Sequence, residues 1–167
     1  TFQMSDGVYR WLLDPTQDKE SVIHVGLRIC LRNFAVLTVL YVLLSWFVEI
    51  PYRWMTFALI IGYSIVPVLQ QIARGLGKNG LYAVSGVLIT ALFLVGNLVF
   101  VVMLGWGCEG MLLSQILAYG ITLLGLLLAE PQIMRSIKAP SNRALTLDMM
   151  RYSLPLIPNV VSWWAIN

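Results

Sequence analysis

Arg28 and Arg32 stand four residues apart, so on a helix they share one face and could together attract an anionic group. Gln70 and Arg74 repeat that spacing, with Gln71 beside them. Two accounts fit such groups at the ends of apolar runs. Long basic side chains can snorkel to the lipid headgroups while their stems cover apolar surface. Alternatively, they face a cavity inside a helix bundle, where charged groups mark a substrate path.

Other chemistry has little to work with. The single histidine, His24, reads as an interfacial helix residue. Cys30 and Cys108 fall at opposite ends of the first and later apolar runs, which argues against a disulfide or a shared metal site. Both read as small packing or surface residues. Gly75-Leu76-Gly77-Lys78-Asn79-Gly80 matches a dinucleotide-binding fingerprint letter for letter. That fingerprint needs a preceding strand and an acidic residue about 20 positions on, whereas an apolar helix precedes this one and residues 95–99 offer no acid. Its glycines are better suited to ending one helix and admitting the next. No cofactor is implied.

The elements that must position these residues are long apolar runs. Residues 54–73, 81–104 and 111–129 carry no charge, and each is long enough to span about 30 Å of hydrocarbon. A fourth run, at 33–48, is only 16 residues long. Its helix should extend back through residues 22–31, carrying Arg28 and Arg32 into or near the membrane, from a start at Asp18-Lys19-Glu20-Ser21. The predicted spans are therefore about 22–48, 54–73, 81–104 and 111–129. Trp46, Phe47, Tyr52, Trp54, Tyr82 and Trp106 stand at the run ends, where amphipathic rings prefer headgroup depth. Composition agrees, with 59% hydrophobic and 11% charged residues and a mean hydropathy of +0.80. The runs recur and exceed the length of a signal-peptide core, so they belong to the mature protein.

Four alternating spans place Arg10, Lys19, Arg28, Arg32, Arg74, Lys78, Arg135, Lys138, Arg143 and Arg151 on one side and only Arg53 on the other. Ten against one puts both ends of the chain in the cytoplasm. The net charge of +3 is then a topology signal and gives no reason to expect nucleic-acid binding. Within the spans, Asn97 and Gln115 are candidates for interhelical hydrogen bonds, worth about 0.6 kcal/mol each. Pro67, deep in the second span, removes a backbone donor and should kink that helix, as a structural bend or as a hinge. The chain begins at Thr1-Phe2-Gln3 and ends within a charge-free stretch at 153–167, which suggests a fragment whose fifth span has only begun.

The stretch Gln70-Gln71-Ile72-Ala73-Arg74-Gly75-Leu76-Gly77-Lys78-Asn79-Gly80-Leu81-Tyr82-Ala83 resembles the helix-loop-helix after the fourth span of bacterial polysaccharide flippases. These are the O-antigen, capsule and teichoic-acid transporters of the multidrug/oligosaccharidyl-lipid/polysaccharide exporter superfamily. Met150-Arg151-Tyr152-Ser153-Leu154-Pro155-Leu156-Ile157-Pro158-Asn159, with Ser162-Trp163-Trp164-Ala165-Ile166-Asn167, resembles the start of that family's seventh span. Asp6-Gly7-Val8-Tyr9-Arg10-Trp11 is similar to the loop after its second span.

The resemblance covers essentially the whole chain and implies an all-α, polytopic membrane bundle, part of a two-lobed MATE-like transporter. Residues 1–130 would run from the end of helix 2 to helix 6 of the N-terminal lobe. Residues 131–152 would form a cytoplasmic inter-lobe linker, its helix content limited by Pro131 and Pro140, and 153–167 the start of helix 7. The implied activity is alternating-access export of lipid-linked oligosaccharide across the bacterial cytoplasmic membrane, with no catalysis. Arg28, Arg32 and Arg74 would contact the substrate pyrophosphate, and Pro67 and Pro158 are candidate hinges. The implied partners are that substrate and the membrane lipids. A multidrug exporter of the same superfamily is the alternative, although no Asp or Glu lies inside the four spans. A membrane-embedded glycan polymerase or acyltransferase would need a cluster of titratable groups at one depth.

Overall fold

The computed structural model describes residues 4–136 and 143–153. Every regular element among them is helical. In chain order these are α1 (Met4–Leu12), α2 (Lys19–Phe47), α3 (Arg53–Gly75), α4 (Asn79–Asn97), a π-helical stretch continuing it (Leu98–Met103), α5 (Gly107–Ala129), α6 (Pro131–Ser136) and α7 (Arg143–Ser153). Four helices are long and apolar enough to cross a membrane: α2, α3, α4 with its π-helical end, and α5. These support a multi-pass membrane protein, with span ends within a few residues of those predicted.

α2 starts where the sequence places it. The Asp18 carboxylate accepts the Ser21 amide at 3.0 Å and the Ser21 hydroxyl at 2.7 Å, closing the first turn as an N-cap. Those two bonds, the hydroxyl first, hold the Asp18 carboxyl below its usual range. The helix then runs unbroken through Arg28 and Arg32 to Phe47. The return turn is tight, and Tyr52 adopts a left-handed conformation (φ 53°) that costs a side-chain-bearing residue about 1–2 kcal/mol. Tyr41 braces the turn by donating its hydroxyl to the Arg53 carbonyl at 2.8 Å.

α3 remains helical across Pro67, which sits half-buried in its interior. One turn away, the Cys30 thiol of α2 donates to the Ser64 carbonyl at 3.6 Å. At the end of α3, Lys78 N–H bonds the Ala73 carbonyl and Gly77 N–H the Arg74 carbonyl, both at 3.0 Å, around Gly77 at φ +82°. This paired arrangement is a Schellman cap, so the fingerprint-like glycine run is a helix terminator. Gly75 has a second role, since a Cβ there would lie 2.7 Å from Leu12 Cβ.

The most extensive packing is α4 on α5. Small residues recur along one stripe of α5, where Gly110, Ser114, Ala118 and Thr122 are buried at every fourth position. A Cβ at Gly96 would lie 2.8 Å from Ser114 Cβ, and one at Gly110 would lie 3.0 Å from the backbone of Phe100. Ser114 and Thr122 return their hydroxyls to the carbonyls four residues back, at 2.7 and 2.8 Å, so no donor is stranded in the interface. Without a hydrophobic drive in lipid, such close backbone approach is what holds helices together.

The largest buried cluster lies at the basic end of the bundle. It unites Val8 and Leu12 of α1, Val22, Ile23 and Ile29 of α2, Val66, Leu69 and Ile72 of α3, Leu126 of α5, Ile133 of α6, and Leu145 and Met149 of α7. Residues 6–11, likened above to a loop, belong to α1, because Val8 and Leu12 share a helix face that docks into this cluster. The segment expected to be a linker carries helices on both sides of 137–142: Pro131 occupies the first position of α6, where its missing N–H is no loss. At the opposite end α2 presents Val36, Val39, Leu40, Leu43, Trp46 and Phe47 at the surface. A contiguous apolar face of this kind suits hydrocarbon rather than water.

Candidate functional site

Arg28 and Arg32 are both exposed on α2 and line one cavity of about 610 Å³. Val25, Ile29, Leu31 and Ala35 complete its α2 wall, and Thr146 of α7 faces them. Arg32 Nη2 lies 3.2 Å from Met150 Sδ, also on α7. The helix within the predicted linker thus closes one side of the arginine cavity. α7 is fixed there by Leu145 and Met149 in the core and by Tyr152, whose ring lies 5.4 Å from that of Trp11 and 4.3 Å from the Arg10 guanidinium.

Depth along α2 bears on both accounts of these arginines. Phe47 to Arg28 is 19 residues, about 29 Å of helix, which equals the hydrocarbon thickness. With the aromatic pair Trp46 and Phe47 at one interface, Arg28 reaches the other and Arg32 lies one turn inside it. A cation at that depth is costly in lipid, and the adjoining cavity offers it room for water or an anion.

Arg74, the third predicted contact, does not line this cavity. Its guanidinium lies 4.5 Å from the Tyr9 ring of α1 and 5.3 Å from the Tyr82 ring of α4, a cation–π clamp joining three helices. Its neighbour Gln70 donates to Ser85 Oγ at 2.9 Å, tying α3 to α4. Gln115 makes the expected interhelical bond, donating to the Tyr63 hydroxyl. Asn97 does not: its buried Oδ1 has no partner among the described residues, and Gln71 Oε1 is likewise unpaired. Asn97 immediately precedes the π-helical stretch, whose shifted bonds run from Leu104 N–H to the Val99 carbonyl at 3.0 Å.

Two polar contacts went unread in the sequence. Glu130, only 2% exposed at the end of α5, forms an ion pair with Lys78 of the α3–α4 turn, and its other oxygen accepts the Gln132 amide at 3.3 Å. His24 Nδ1 lies 3.1 Å from the Ser136 carbonyl of α6. A carbonyl can only accept, so Nδ1 carries a proton and the ring orientation is set. Glu130 and Lys78 are 52 positions apart, and His24 and Ser136 are 112 apart, so no local spacing announces either contact. Of the candidate hinges, Pro67 is placed in mid-α3 and Pro158 lies outside the described residues. Compared with known proteins, the chain matches no family model, no curated protein and no solved structure.

Proposed function

We propose that this chain is part of a bacterial cytoplasmic-membrane transporter that moves lipid-linked oligosaccharide by alternating access, Arg28 and Arg32 receiving the substrate's pyrophosphate. The observation that carries this reading is the placement of both guanidiniums on one cavity at the edge of the hydrocarbon, against the helix of the proposed inter-lobe linker. A diphosphate offers several acceptor oxygens, and two guanidiniums one helical turn apart can engage it from one side. Because α7 lines the same cavity, a bound anion would bear on the linker when the lobes rock. Pro67 and Pro158 remain the proposed points of bending, and Arg74 is assigned to holding α1, α3 and α4 together. No catalytic role is proposed.

In the full-length protein, Arg28→Gln/Arg32→Gln should reduce surface glycan at least tenfold, the loss of about 1.4 kcal/mol of substrate interaction, with protein level unchanged. Lipid-linked precursor should accumulate on the cytoplasmic leaflet. Normal export by the double variant would overturn the assignment and leave snorkelling as the role of both side chains.

The orientation rests on the ten-to-one distribution of basic residues and is tested separately. Cys108, exposed at the start of α5, should react with an impermeant thiol reagent in intact cells, whereas a cysteine introduced at Arg143 should be labelled only after lysis. The reverse pattern would invert the topology.

A further inference from the structure

We propose that the side of α3 bearing Thr56, Tyr63, Gln70 and Arg74 faces a water-filled path across the membrane, where Tyr63 and Gln115 of α5 contact the uncharged, hydroxyl-bearing part of a passing solute at mid-depth. The solute rests on the transport reading. The water-filled face does not, and it shares no residue with the arginine cavity.

α3 differs from its neighbours in what it exposes. At the surface α2 shows Val36, Val39, Leu40 and Leu43, and α4 shows Val84, Val87, Leu94 and Leu98, side chains suited to hydrocarbon. Among the described residues of α3, only Arg53 and Trp54 at its outer end and Tyr63 are exposed, Tyr63 at 50%. Tyr63 stands ten residues beyond Arg53, about 15 Å along the helix and half the thickness of the hydrocarbon. Amphipathic rings prefer headgroup depth, so a half-exposed tyrosine at this level is out of place against lipid. Its surroundings on the helix are polar too. Thr56, Tyr63 and Gln70 follow one another at intervals of seven and Arg74 comes four later, which keeps them within about 40° of one another around the axis. A polar stripe therefore runs the length of α3.

Hydrogen bonding shows why this side needs water. Hydroxyls on the other spans are closed off by their own helices: Thr38 donates to the Phe34 carbonyl at 2.9 Å and Thr90 to the Gly86 carbonyl at 3.1 Å. At mid-depth on the α3–α5 side there is no such closure. Gln115 donates to the Tyr63 hydroxyl, and the Tyr63 ring lies 4.7 Å from that of Tyr119, but Gln115 Oε1 accepts nothing among the described residues. One turn inward, Pro67 has no N–H to give the Tyr63 carbonyl, which frees a second acceptor at the same level. Acceptors without partners are strongly disfavoured in hydrocarbon, whereas water satisfies both. The phenol and the amide carry no charge and each can donate and accept, so they match hydroxyl groups better than phosphate.

The test is thiol accessibility in the full-length protein, since charged methanethiosulfonates react with thiolates, which form in water and not in hydrocarbon. With Cys108 replaced by serine, buried Cys30 supplies the blank. In membranes opened so that the reagent reaches both sides, Tyr63→Cys should react with sulfonatoethyl methanethiosulfonate at least about tenfold faster than Leu40→Cys or Val87→Cys. Should Tyr63→Cys lose the folded peak on size-exclusion, Gln115→Cys decides in its place. A rate no faster than at Leu40 or Val87 would overturn the water-filled face. Tyr63→Phe keeps the ring against Tyr119 and removes only the hydroxyl, so surface glycan should fall about fivefold at unchanged protein level. Undiminished export would overturn the solute contact. Because labelling reads water alone, normal export by the arginine double variant leaves the labelling result standing, and slow labelling leaves the arginine assignment standing.

Discussion

Gly110→Val should leave little correctly folded protein, whereas Gly120→Val in the same helix should be nearly silent. A Cβ at Gly110 would meet the carbonyl carbon, carbonyl oxygen and Cβ of Phe100, all at 3.0 Å, and the first two are backbone that no rotamer change can move. Valine adds two further methyl groups, so α5 must move away from the π-helical stretch that continues α4. Overpacking of this sort costs about 1–3 kcal/mol in well-packed cores, and the upper end applies where backbone is the obstacle. At Gly120 nothing lies within 4 Å of an added Cβ, and removing a glycine from a helix interior is itself favourable by about 0.5–1 kcal/mol. Thermal unfolding followed by size-exclusion of the detergent-solubilised variants compares the two. Equal loss of the folded peak at both positions would mean that the contact of α5 with the π-helical stretch is not the tight interface described.

Lys78→Ala should cost more than Glu130→Gln, although both break the same ion pair. Removing the lysine leaves the Glu130 carboxylate in a site that is 2% exposed, with only the Gln132 amide to solvate it. Removing the charge from Glu130 instead leaves an amide whose oxygen can still accept from Gln132, beside a lysine whose side chain is 49% exposed and can turn to water. Breaking a fully buried pair costs about 3–5 kcal/mol; the exposed lysine side lowers this to about 2–3 kcal/mol for Lys78→Ala. For Glu130→Gln the expected loss is about 1 kcal/mol. Combining the two changes should recover part of the Lys78→Ala loss, because the stranded charge is gone. Lys19→Ala, at an exposed position on α2, is the reference substitution. A Lys78→Ala midpoint no lower than that of Lys19→Ala would sink the prediction.

The spans were legible because length and absence of charge are properties of the chain itself. The extension of α2 back to Lys19 was legible for a similar reason: a 16-residue run cannot cross the hydrocarbon, and Asp18 is a capping residue. What escaped was set by contacts between elements. Gly110, Ser114, Ala118 and Thr122 stand in the sequence at intervals of four, but a run judged only by its hydrophobicity hides which of its residues are small for packing. The π-helical stretch at Leu98–Met103 is a shift of backbone hydrogen bonds and has no compositional mark. Arg74 looked like a twin of Arg28 and Arg32 because spacing shows a helix face but not what the face meets. Tyr9 and Tyr82 come from two other helices. Glu130 stood only as the charged residue that ends the last apolar run, and only the approach of the α3–α4 turn shows it to be buried. In the same way, Leu145 and Met149 are apolar residues four apart in a basic, polar segment, and their role depends on a core assembled from the other end of the chain.

The seating of α7 on α1 also fixes the order in which the protein can be built. Arg10 and Tyr152 touch across 142 residues of chain, so that contact waits until the ribosome has synthesised all four long helices, about 7–28 s at 5–20 residues per second. During that interval α1 can already rest on α2 through Val8 and Gly26, and on α3 through Leu12 and Gly75 once these have emerged. The arginine cavity has no second wall until α7 arrives. A nascent chain halted before residue 143 would therefore present Arg28 and Arg32 as an open basic ledge at the membrane surface, and arrival of the last described helix gives that ledge a facing wall.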